Sequence, residues 1–497
     1  MTKKQRFLYN GMLLTAVGFA IKGAVLFLGA FISGKIGAEG MGLQALIGTV
    51  YAFAVTFATS GISLSVTRLV AASVGEGQGG DRILRAAFLY ATCFGVGGSA
   101  LLFLLADCIG MTLLSDERII DALKILSLSL LPIAYSSVIS GYFVAVRRVT
   151  LNAVVQVSGQ ILRIGLTVLL LSRFSDGLAS AMRALALSCT LTEVLCFCLA
   201  LVEYTVDRRM YGSVKNRGYA IGEVCGMALP LAFSAYVRSF LMSVEHSLIP
   251  RRLVDRGNTR TEALSSYGYL SGMALPIVLF PMTPLSSFSG LLVPEFAECE
   301  STDNTARMER IAARVCALTL VYAIAVAVFI FAFSEELGYV LYGTYTAGRY
   351  VAVLAPVIPL MYLDHVTDSM LKGIGEHVFS MWINIADSLL SVILVWLLIP
   401  IFDVFGYALV IIIMELFNFT LSFMRLRYRV HFRIRPLTSI LIPLAISFSA
   451  VYLTRSLFAF SGSTVGAVWL ILEMIFALSV FLSLTMIVDK MTHITAK

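Results

Sequence analysis

Long apolar stretches alternate with short polar ones along almost the whole chain. A membrane-spanning helix needs about 20 mostly apolar residues to cross roughly 30 Å of hydrocarbon, and on that criterion the sequence predicts about fourteen spans joined by short loops. The first six predicted spans are Gly11–Ser33, Gln44–Val66, Ile83–Ala106, Ala122–Val146, Leu151–Leu171 and Leu178–Val202. The other eight are Tyr219–Val244, Ala263–Val293, Ile311–Phe333, Tyr350–Leu371, Val378–Pro400, Tyr407–Met424, Leu437–Leu457 and Val465–Val488.

Short patterns recur between the first six spans and the next six. Leu131-Pro132 with Tyr135 matches Ile358-Pro359 with Tyr362 at an offset of 227 residues, and other matches have offsets of 223 and 229. A slowly drifting offset is what a duplication predicts. Because six spans is an even number, the copies share one orientation, related by a pseudo-twofold axis along the membrane normal. We predict an all-α polytopic membrane protein with a six-helix lobe at 1–215, a second at 216–432 and two additional helices at 433–497.

Composition supports this prediction and excludes a soluble domain. Hydrophobic residues make up 59% of the chain and charged residues only 13%, whereas about a quarter of the residues in soluble proteins are charged. The mean hydropathy is +0.89. The eight cysteines lie mostly in apolar spans without ligand spacing, so the sequence predicts no disulfide framework, no metal site and no cofactor.

The distribution of basic residues predicts the topology, whereas the net charge of +7 would suggest nucleic acid only in a soluble protein. With the N-terminus inside, cytoplasmic segments hold 23 Lys and Arg residues against 10 outside. We therefore expect both termini in the cytoplasm and a multi-pass protein of the bacterial plasma membrane. One external loop breaks the rule, which indicates either a topology error or a functional patch; it holds Arg251, Arg252, Arg256 and Arg260.

Charged side chains inside apolar spans are the strongest functional signal. A charge near the bilayer centre costs about 2.5 to 3.5 kcal/mol even on lenient scales, so such residues usually face a bundle interior or a watery cavity. In the fifth span one helix face is polar along its length, through Asn152, Gln156, Gln160, Arg163 and Thr167. This stripe predicts either a cavity wall that binds an anion or a set of interhelical hydrogen bonds.

Three further positions extend the set of candidate cations. Lys22 lies roughly 16 Å inside the first span, at 1.5 Å per residue, which favours a cavity over a lysine that reaches the membrane interface. Arg238, with Arg251 and Arg252 beyond the end of its span, either presents cations to an anionic headgroup or forms structural ion pairs. The candidate substrate-binding residues are Lys22, Arg163, Arg238, Arg251 and Arg252.

Buried carboxylates supply candidates for coupling to a proton or a sodium ion. In the tenth span Asp364, Asp368 and Lys372 follow one another at spacings of four, which favours internal neutralisation. The sequence does not select among the coupling candidates, which are Glu193, Glu245, Asp364, Asp387 and Glu415.

Prolines cluster in the eighth span at positions 276, 281, 284 and 294. Proline removes a backbone donor and clashes with the preceding turn, so this helix should be kinked or broken. Such a break either supplies a bending point for transport or is a structural feature that neighbouring helices satisfy.

Short motifs identify a family resemblance. They are Ile36–Leu43, Ser60–Ser63, Arg68–Ala71, Ser140–Phe143, Ile249–Leu253 and Gly272–Pro276. Together they resemble the stage V sporulation protein B and polysaccharide-export branch of the multidrug/oligosaccharidyl-lipid/polysaccharide exporter superfamily. The resemblance implies two six-helix lobes around a central cavity, plus two added helices. Drug-exporting relatives typically carry an acidic residue in the first span, where this chain offers Lys22, and this difference argues against drug export.

The resemblance also implies a function. It predicts a non-enzymatic flippase that moves lipid-linked sugar precursors, such as lipid II, across the bilayer by alternating access. A cationic site suits the anionic pyrophosphate headgroup of that cargo. The alternatives are a cation-coupled drug or metabolite antiporter, an integral membrane glycosyltransferase or polymerase, and a scaffold in envelope or spore assembly. No nucleic-acid partner is expected.

Overall fold

The computed structural model describes residues 3–75, 80–146, 148–174, 177–211, 220–459 and 466–495, and over these residues the chain is helical with no strand. Short 3₁₀ and π segments join some of the α-helices. The first ten are α1 Lys3–Thr59, α2 Ile62–Gly75, α3 Asp81–Cys108, α4 Ile120–Ser127, α5 Leu130–Ala145, α6 Val149–Arg173, α7 Leu178–Tyr211, α8 Ile221–Asp255, α9 Arg260–Tyr267 and α10 Leu275–Leu279. The others are α11 Thr283–Ser301, α12 Thr305–Ala332, α13 Ser334–Tyr342, α14 Tyr345–Leu354, α15 Ile358–Gly373, α16 His377–Phe402, α17 Val404–Arg429, α18 Ile442–Ala459 and α19 Ala467–Thr495.

Within the described residues, twelve helices are long and apolar enough to cross a membrane, or thirteen if the bent pair Glu117–Ser127 and Leu130–Ala145 is one span. The longest candidate, Gly18–Val74, has 57 residues. At 1.5 Å per residue it would measure about 85 Å if straight, nearly three membrane thicknesses. It therefore contains two of the predicted spans, and counting them separately gives the fourteen that the sequence predicted.

Two backbone breaks divide this long segment. Gly37 has φ 67° and ψ −173°, a conformation outside the helical region, and it falls between the first two predicted spans. No atom lies within 4 Å of the position a Cβ would take at Gly37, so its backbone conformation rather than space requires glycine. Ser60 and Gly61 also have positive φ and form the turn between α1 and α2.

The eighth predicted span is broken, as its prolines predicted. It comprises α9, a π segment, α10, a 3₁₀ turn and α11. Pro276 and Pro284 lie at the starts of α10 and α11, and Pro281 lies within the 3₁₀ turn. These positions tolerate proline because the first turn of a helix has no intrahelical partner for its backbone N–H groups.

Contacts divide the chain into two compact units. One contains residues 35–254 and 259–265, and the other contains residues 1–34, 255–258 and 266–497. The kinked helix α1 thus contributes to both units. The predicted division at 215/216 and 432/433 followed the repeat pattern and stays a prediction.

The unit containing residues 35–254 is held together by apolar side chains from α2, α3, α5, α7 and α8. Ile62, Val66, Ala87, Val138 and Ala228 are almost fully buried within this core. Small residues are frequent among them, as in membrane helix interfaces, where close backbone approach replaces the hydrophobic drive of water-soluble proteins.

The other unit holds two apolar clusters. One gathers around Phe296, Met370 and Leu426 on α11, α15 and α17. The second joins the last two helices to α12 through Phe329, Ala450 and further buried side chains. The two additional C-terminal helices therefore pack on α12 rather than only on each other.

A charged cluster reinforces that docking. Arg455 of α18 contacts Glu336 of α13 at 2.6 Å and Glu473 of α19 at 3.5 Å. Its guanidinium also lies 4.5 Å from the centre of the Phe333 ring. One cation thus links three helices, and its contacts combine charge-assisted hydrogen bonds with a cation–π interaction.

Arg455→Ala should destabilise the protein, because it leaves two carboxylates without their shared cation. We expect the free energy of unfolding to fall by about 1–2 kcal/mol, because the charged network is partly exposed and not fully buried. Thermal unfolding of the detergent-solubilised protein measures this loss. Arg310→Ala is the control, since exposed Arg310 donates only to the carbonyl of Ala306 in its own helix. Equal melting temperatures for the two variants would contradict the linking role of Arg455.

Candidate functional site

The polar stripe of the fifth span lies on α6, which packs antiparallel to α7. Arg163 Nη2 donates to Glu193 Oε1 at 2.7 Å. The Arg163 side chain retains 42% exposure and that of Glu193 retains 23%. The structure therefore brings together two residues that the sequence singled out separately, one as an anion-binding cation and the other as a coupling carboxylate.

Other members of the stripe differ in their surroundings. Thr167 is buried and shares a hydrogen bond with Ser188 of α7 at 3.1 Å. Gln160 Nε2 is buried and has no hydrogen-bond partner among the described residues. Gln156 is exposed, and the side chain of Asn152 lies outside the described residues. The stripe thus takes part in the seam between α6 and α7 at Thr167, whereas Gln156 is exposed, and the anion-binding cavity wall stays a prediction.

A group of polar side chains next to the Arg163–Glu193 pair was missed by the sequence analysis. Tyr51 of α1 shares a hydrogen bond of 2.6 Å with Ser129, and the Cys189 thiol lies 4.0 Å from the Tyr51 hydroxyl. Cys189 lies one turn before Glu193 on the same helix. The available signal was a tyrosine within an otherwise apolar span, but tyrosine is common in membrane proteins and does not by itself predict a site.

The structure places the remaining candidate cations on α1 and α8. Lys22 of α1 and Arg238 of α8 are exposed, and neither has an ion-pair partner among the described residues. Arg251 is exposed near the end of α8, whereas Arg252 is partly buried. Glu245, two turns from Arg238, is also partly buried.

Three carboxylates meet in the unit that contains α15, α16 and α17. Asp364, Asp387 and Glu415 come from these three helices in turn and lie within electrostatic range of one another. Ser422 lies near Asp364, whose Oδ1 atom is buried and has no hydrogen-bond partner among the described residues. The structure thus brings three of the five coupling candidates into one acidic group.

Of the three charged residues in the tenth predicted span, two form an ion pair and the third is a separate carboxylate. Lys372 contacts Asp368 at 2.5 Å, an i,i+4 pair. Asp364 instead belongs to the acidic group. Internal neutralisation therefore describes Asp368 and Lys372 but does not extend to Asp364.

Two of the four arginines in the basic loop make structural contacts. Arg256 donates to the carbonyls of Ile401 at 2.6 Å and Pro400 at 3.3 Å, in the last turn of α16. The last carbonyls of a helix lack intrahelical partners, and a cation also complements the helix dipole there. Part of the charge that breaks the positive-inside rule therefore has a structural explanation.

Arg260 makes the other structural contact, with Asp116. The Asp116 side chain is 4% exposed and accepts two hydrogen bonds from the Arg118 side chain, at 2.9 and 2.7 Å, one from the Arg118 backbone N–H at 3.0 Å and one from Arg260 at 3.4 Å. Burial acts to raise the pKa of Asp116, but the hydrogen bonds from Arg118 and the charges of both arginines outweigh it and hold the pKa below its ordinary value of 3.8.

Asp116→Asn should destabilise the protein by about 1–3 kcal/mol at neutral pH, because two arginines lose their charged acceptor. A carboxylate with a depressed folded-state pKa stabilises above its unfolded value, near 3.8, and this contribution fades as the pH falls through the folded-state value. The difference in stability between wild type and Asp116→Asn should therefore be constant from about pH 5 upward and shrink below about pH 4. Chemical unfolding in detergent across this range tests it. If the difference in stability between the two proteins stayed constant down to pH 3, the ion pairs of Asp116 would not be its cause.

Comparison with known proteins supplies the family. The family described as "Polysaccharide biosynthesis protein" matches residues 7–300, more than half of the chain. The chain belongs to this family. A second family, MatE, matches residues 257–397. The resemblance stated from the motifs is thereby confirmed.

Two curated relatives come from Bacillus subtilis (strain 168). Stage V sporulation protein B is 25% identical over 424 residues, which cover 82% of this chain and 81% of the relative. Sporulation protein YkvU is 20% identical over 356 residues, covering 71% of this chain and 79% of that protein.

Solved structures support the fold. "Lipid II flippase MurJ, inward closed conformation" aligns with a TM-score of 0.73 at 14% identity, covering 96% of this chain and 99% of that one. The inward-facing conformation of a multidrug resistance MATE family transporter of the MOP superfamily aligns with a TM-score of 0.63 at 17% identity, covering 82% and 94%. The predicted all-helical, two-lobe fold class of a multi-pass membrane protein is therefore confirmed.

Proposed function

We propose that this protein is a flippase that translocates lipid-linked oligosaccharide or peptidoglycan precursors, resembling lipid II, by alternating access. The observation that carries the proposal is an arginine in an otherwise apolar span, Arg163, whose side chain stays 42% exposed while its guanidinium pairs with Glu193. Arginine cannot be neutralised in a protein, and its planar fork matches phosphate oxygens. A permanently charged, accessible cation inside a span suits a cargo with an anionic headgroup.

Arg163 also indicates the chemistry of the headgroup that the cargo carries. A pyrophosphate offers several acceptor oxygens and can accept two parallel hydrogen bonds from one guanidinium. Membership of a polysaccharide biosynthesis family supports a sugar-bearing lipid as the rest of the cargo. Lys22, Arg238, Arg251 and Arg252 are proposed to contact the headgroup at other stages of its passage. The cargo crosses chemically unchanged, so the activity is transport rather than catalysis.

Energy coupling is assigned to the carboxylates. The acidic group of Asp364, Asp387 and Glu415 is proposed to take up a proton or sodium ion, with Glu193 and Glu245 as further candidates. Both termini are proposed to lie in the cytoplasm of a bacterial cell, on the basis of the distribution of Lys and Arg. The lobes are proposed to span 1–215 and 216–432, with 433–497 as added helices.

Complementation tests the function. A bacterium depleted of its native lipid II flippase should grow when this protein is expressed, and lipid II should become exposed on its outer leaflet. Loss of that rescue in Arg163→Ala, at equal membrane expression, would link transport to the arginine. Normal expression without rescue by the wild type would contradict lipid II as the cargo.

A cation-coupled antiporter is the second candidate function. It is favoured by the match of residues 257–397 to the MatE family and by the acidic group on α15 to α17. This candidate predicts resistance to cationic drugs that disappears when Glu193 or Glu245 is neutralised, with Lys22 and Arg163 dispensable. Resistance assays in a strain that lacks its own drug exporters separate the two candidates.

A further inference from the structure

The Arg163–Glu193 pair lies between two close contacts along the seam of α6 and α7. One turn toward the start of α6, a Cβ added at Gly159 would come within 2.6 Å of Cys196 Sγ, so the two helices approach closely there. One turn the other way, Thr167 and Ser188 share a hydrogen bond of 3.1 Å. The backbones of α6 and α7 are therefore held close together on both sides of the pair, which keeps Glu193 within reach of Arg163.

The contact itself leaves much of the guanidinium available. One hydrogen bond, from Nη2 to Oε1, joins the two side chains, although a guanidinium has five N–H donors and can bind a carboxylate through two parallel bonds. The Arg163 side chain is 42% exposed while Glu193 is 23% exposed. The other N–H donors of Arg163 make no hydrogen bond among the described residues, so they can donate to an anion that reaches them.

We propose that Glu193 is an internal competitor for the headgroup site: its carboxylate holds Arg163 while no cargo is bound, and the pyrophosphate of the cargo displaces it. This inference rests on the proposed function and assigns a role to the partner of its main residue. Glu193 acts through Arg163 and is a positioning residue that sets affinity and release.

Two physical needs favour such a competitor. An unpaired cation inside an apolar helix is costly, so an internal carboxylate lowers the free energy of the empty site. A transported ligand must also bind tightly enough to enter and weakly enough to leave. A carboxylate fixed beside the arginine competes with the bound headgroup continuously and therefore accelerates its release.

Binding of geranyl pyrophosphate, a short water-soluble isoprenyl pyrophosphate, tests the inference on the purified full-length protein by calorimetry. Glu193→Gln should lower the dissociation constant about tenfold, the effect of losing one charged competitor on a partly exposed site. In proteoliposomes the same variant should slow the maximal rate of lipid II translocation. A role limited to stability would not produce tighter binding together with slower turnover.

A control on the same helix isolates the effect. Glu203 is a carboxylate ten residues further along α7, and its Oε2 atom is buried without a hydrogen-bond partner. Glu203→Gln removes the same charge without touching Arg163 and should leave the affinity unchanged. In the double variant Arg163→Gln/Glu193→Gln the tightening should vanish, since the interaction energy of a pair appears only in such a cycle.

The outcomes separate this inference from the proposed function. Unchanged or weaker binding by Glu193→Gln, with binding abolished by Arg163→Gln, would overturn the competitor role and leave the flippase proposal standing. Wild-type binding by Arg163→Gln would instead remove Arg163 from the headgroup site and overturn both. Glu193→Asp is the fallback variant if Glu193→Gln does not fold. Its shorter side chain weakens the pair with Arg163, so the dissociation constant should fall by less than in Glu193→Gln. A dissociation constant equal to that of the wild type would overturn the competitor role.

Discussion

Replacing Arg163 with alanine is expected to lower the rate of lipid II translocation per folded molecule by about 100-fold, since hydrogen bonds between charged partners contribute roughly 1.5 to 3 kcal/mol. The Arg163 guanidinium lies in the apolar part of α6 and can bind an anionic headgroup through two parallel bonds. A fluorescence or reductant-accessibility assay of lipid II in proteoliposomes measures the rate. Arg163→Lys should retain part of it, because an ammonium keeps the charge but not the planar fork.

A second arginine of the same unit provides the control. Arg183 of α7 is half-exposed and lies 3.8 Å from Asp121, a long surface contact. Arg183→Ala removes the same charge from the helix that packs against α6 and should translocate at the wild-type rate. Because Arg163→Ala also leaves Glu193 without its cation, folded yield must be measured for each variant. Equal rates for Arg163→Ala and Arg183→Ala, corrected for folded yield, would contradict the proposed headgroup site.

Most of the fold could be predicted because a bilayer requires apolar stretches of a fixed minimum length in the chain. Apolar length placed the predicted spans on helical stretches of the structure, including the pair hidden in one long helix, although breaks interrupt some of them and residues 219 and 465 lie outside the described residues. A break between Ser33 and Gln44 was predicted, but its position at Gly37 was not, because an isolated glycine in a glycine-rich chain does not reveal a positive φ. The broken eighth span was predicted, since proline has a direct covalent effect on the backbone.

The candidate site could be predicted only as separate residues. Arg163 and Glu193 were each identified because a charge inside an apolar span needs an explanation. Their pairing depends on the approach of α6 to α7, which Gly159 and Cys196 permit, and a tertiary contact of this kind has no signature in either helix alone. Ser422 was noted in the sequence as part of a polar stripe, but its position near Asp364 could not be foreseen.

Ion pairs at helix ends, one in each unit, also could not be predicted from the sequence. Arg148, just before α6, pairs with Asp207 near the end of α7. At the matching place in the other unit, Glu376 just before α16 pairs with Arg425 near the end of α17 at 2.9 Å. The charges are reversed between the two places, so a comparison of residue identities would miss the correspondence. It is consistent with a duplication in which the contact was kept and the residues changed.

Gly141→Val is expected to be the most destabilising of the substitutions considered, at about 3 kcal/mol, because it overpacks a helix crossing. Gly141 lies on α5 where this helix crosses α2, and a Cβ there would come within 2.6 Å of the Ser63 carbonyl oxygen and 3.0 Å of the Val66 Cβ. The Ser63 oxygen belongs to the backbone and cannot rotate away. Thr67 ties the same crossing together by contacting the carbonyls of Ser63 at 2.8 Å and Gly141 at 3.1 Å.

Gly97→Val separates the steric effect from the general effect of placing valine in a helix. Gly97 lies within α3 of the same unit, and no atom lies within 4 Å of the position its Cβ would take. Both variants gain the same side chain, but only Gly141→Val forces α2 and α5 apart. We expect a large fall in melting temperature and folded yield in detergent for Gly141→Val and nearly wild-type values for Gly97→Val. Similar losses in both would mean that helix propensity, rather than the close approach of α2 and α5, accounts for the effect.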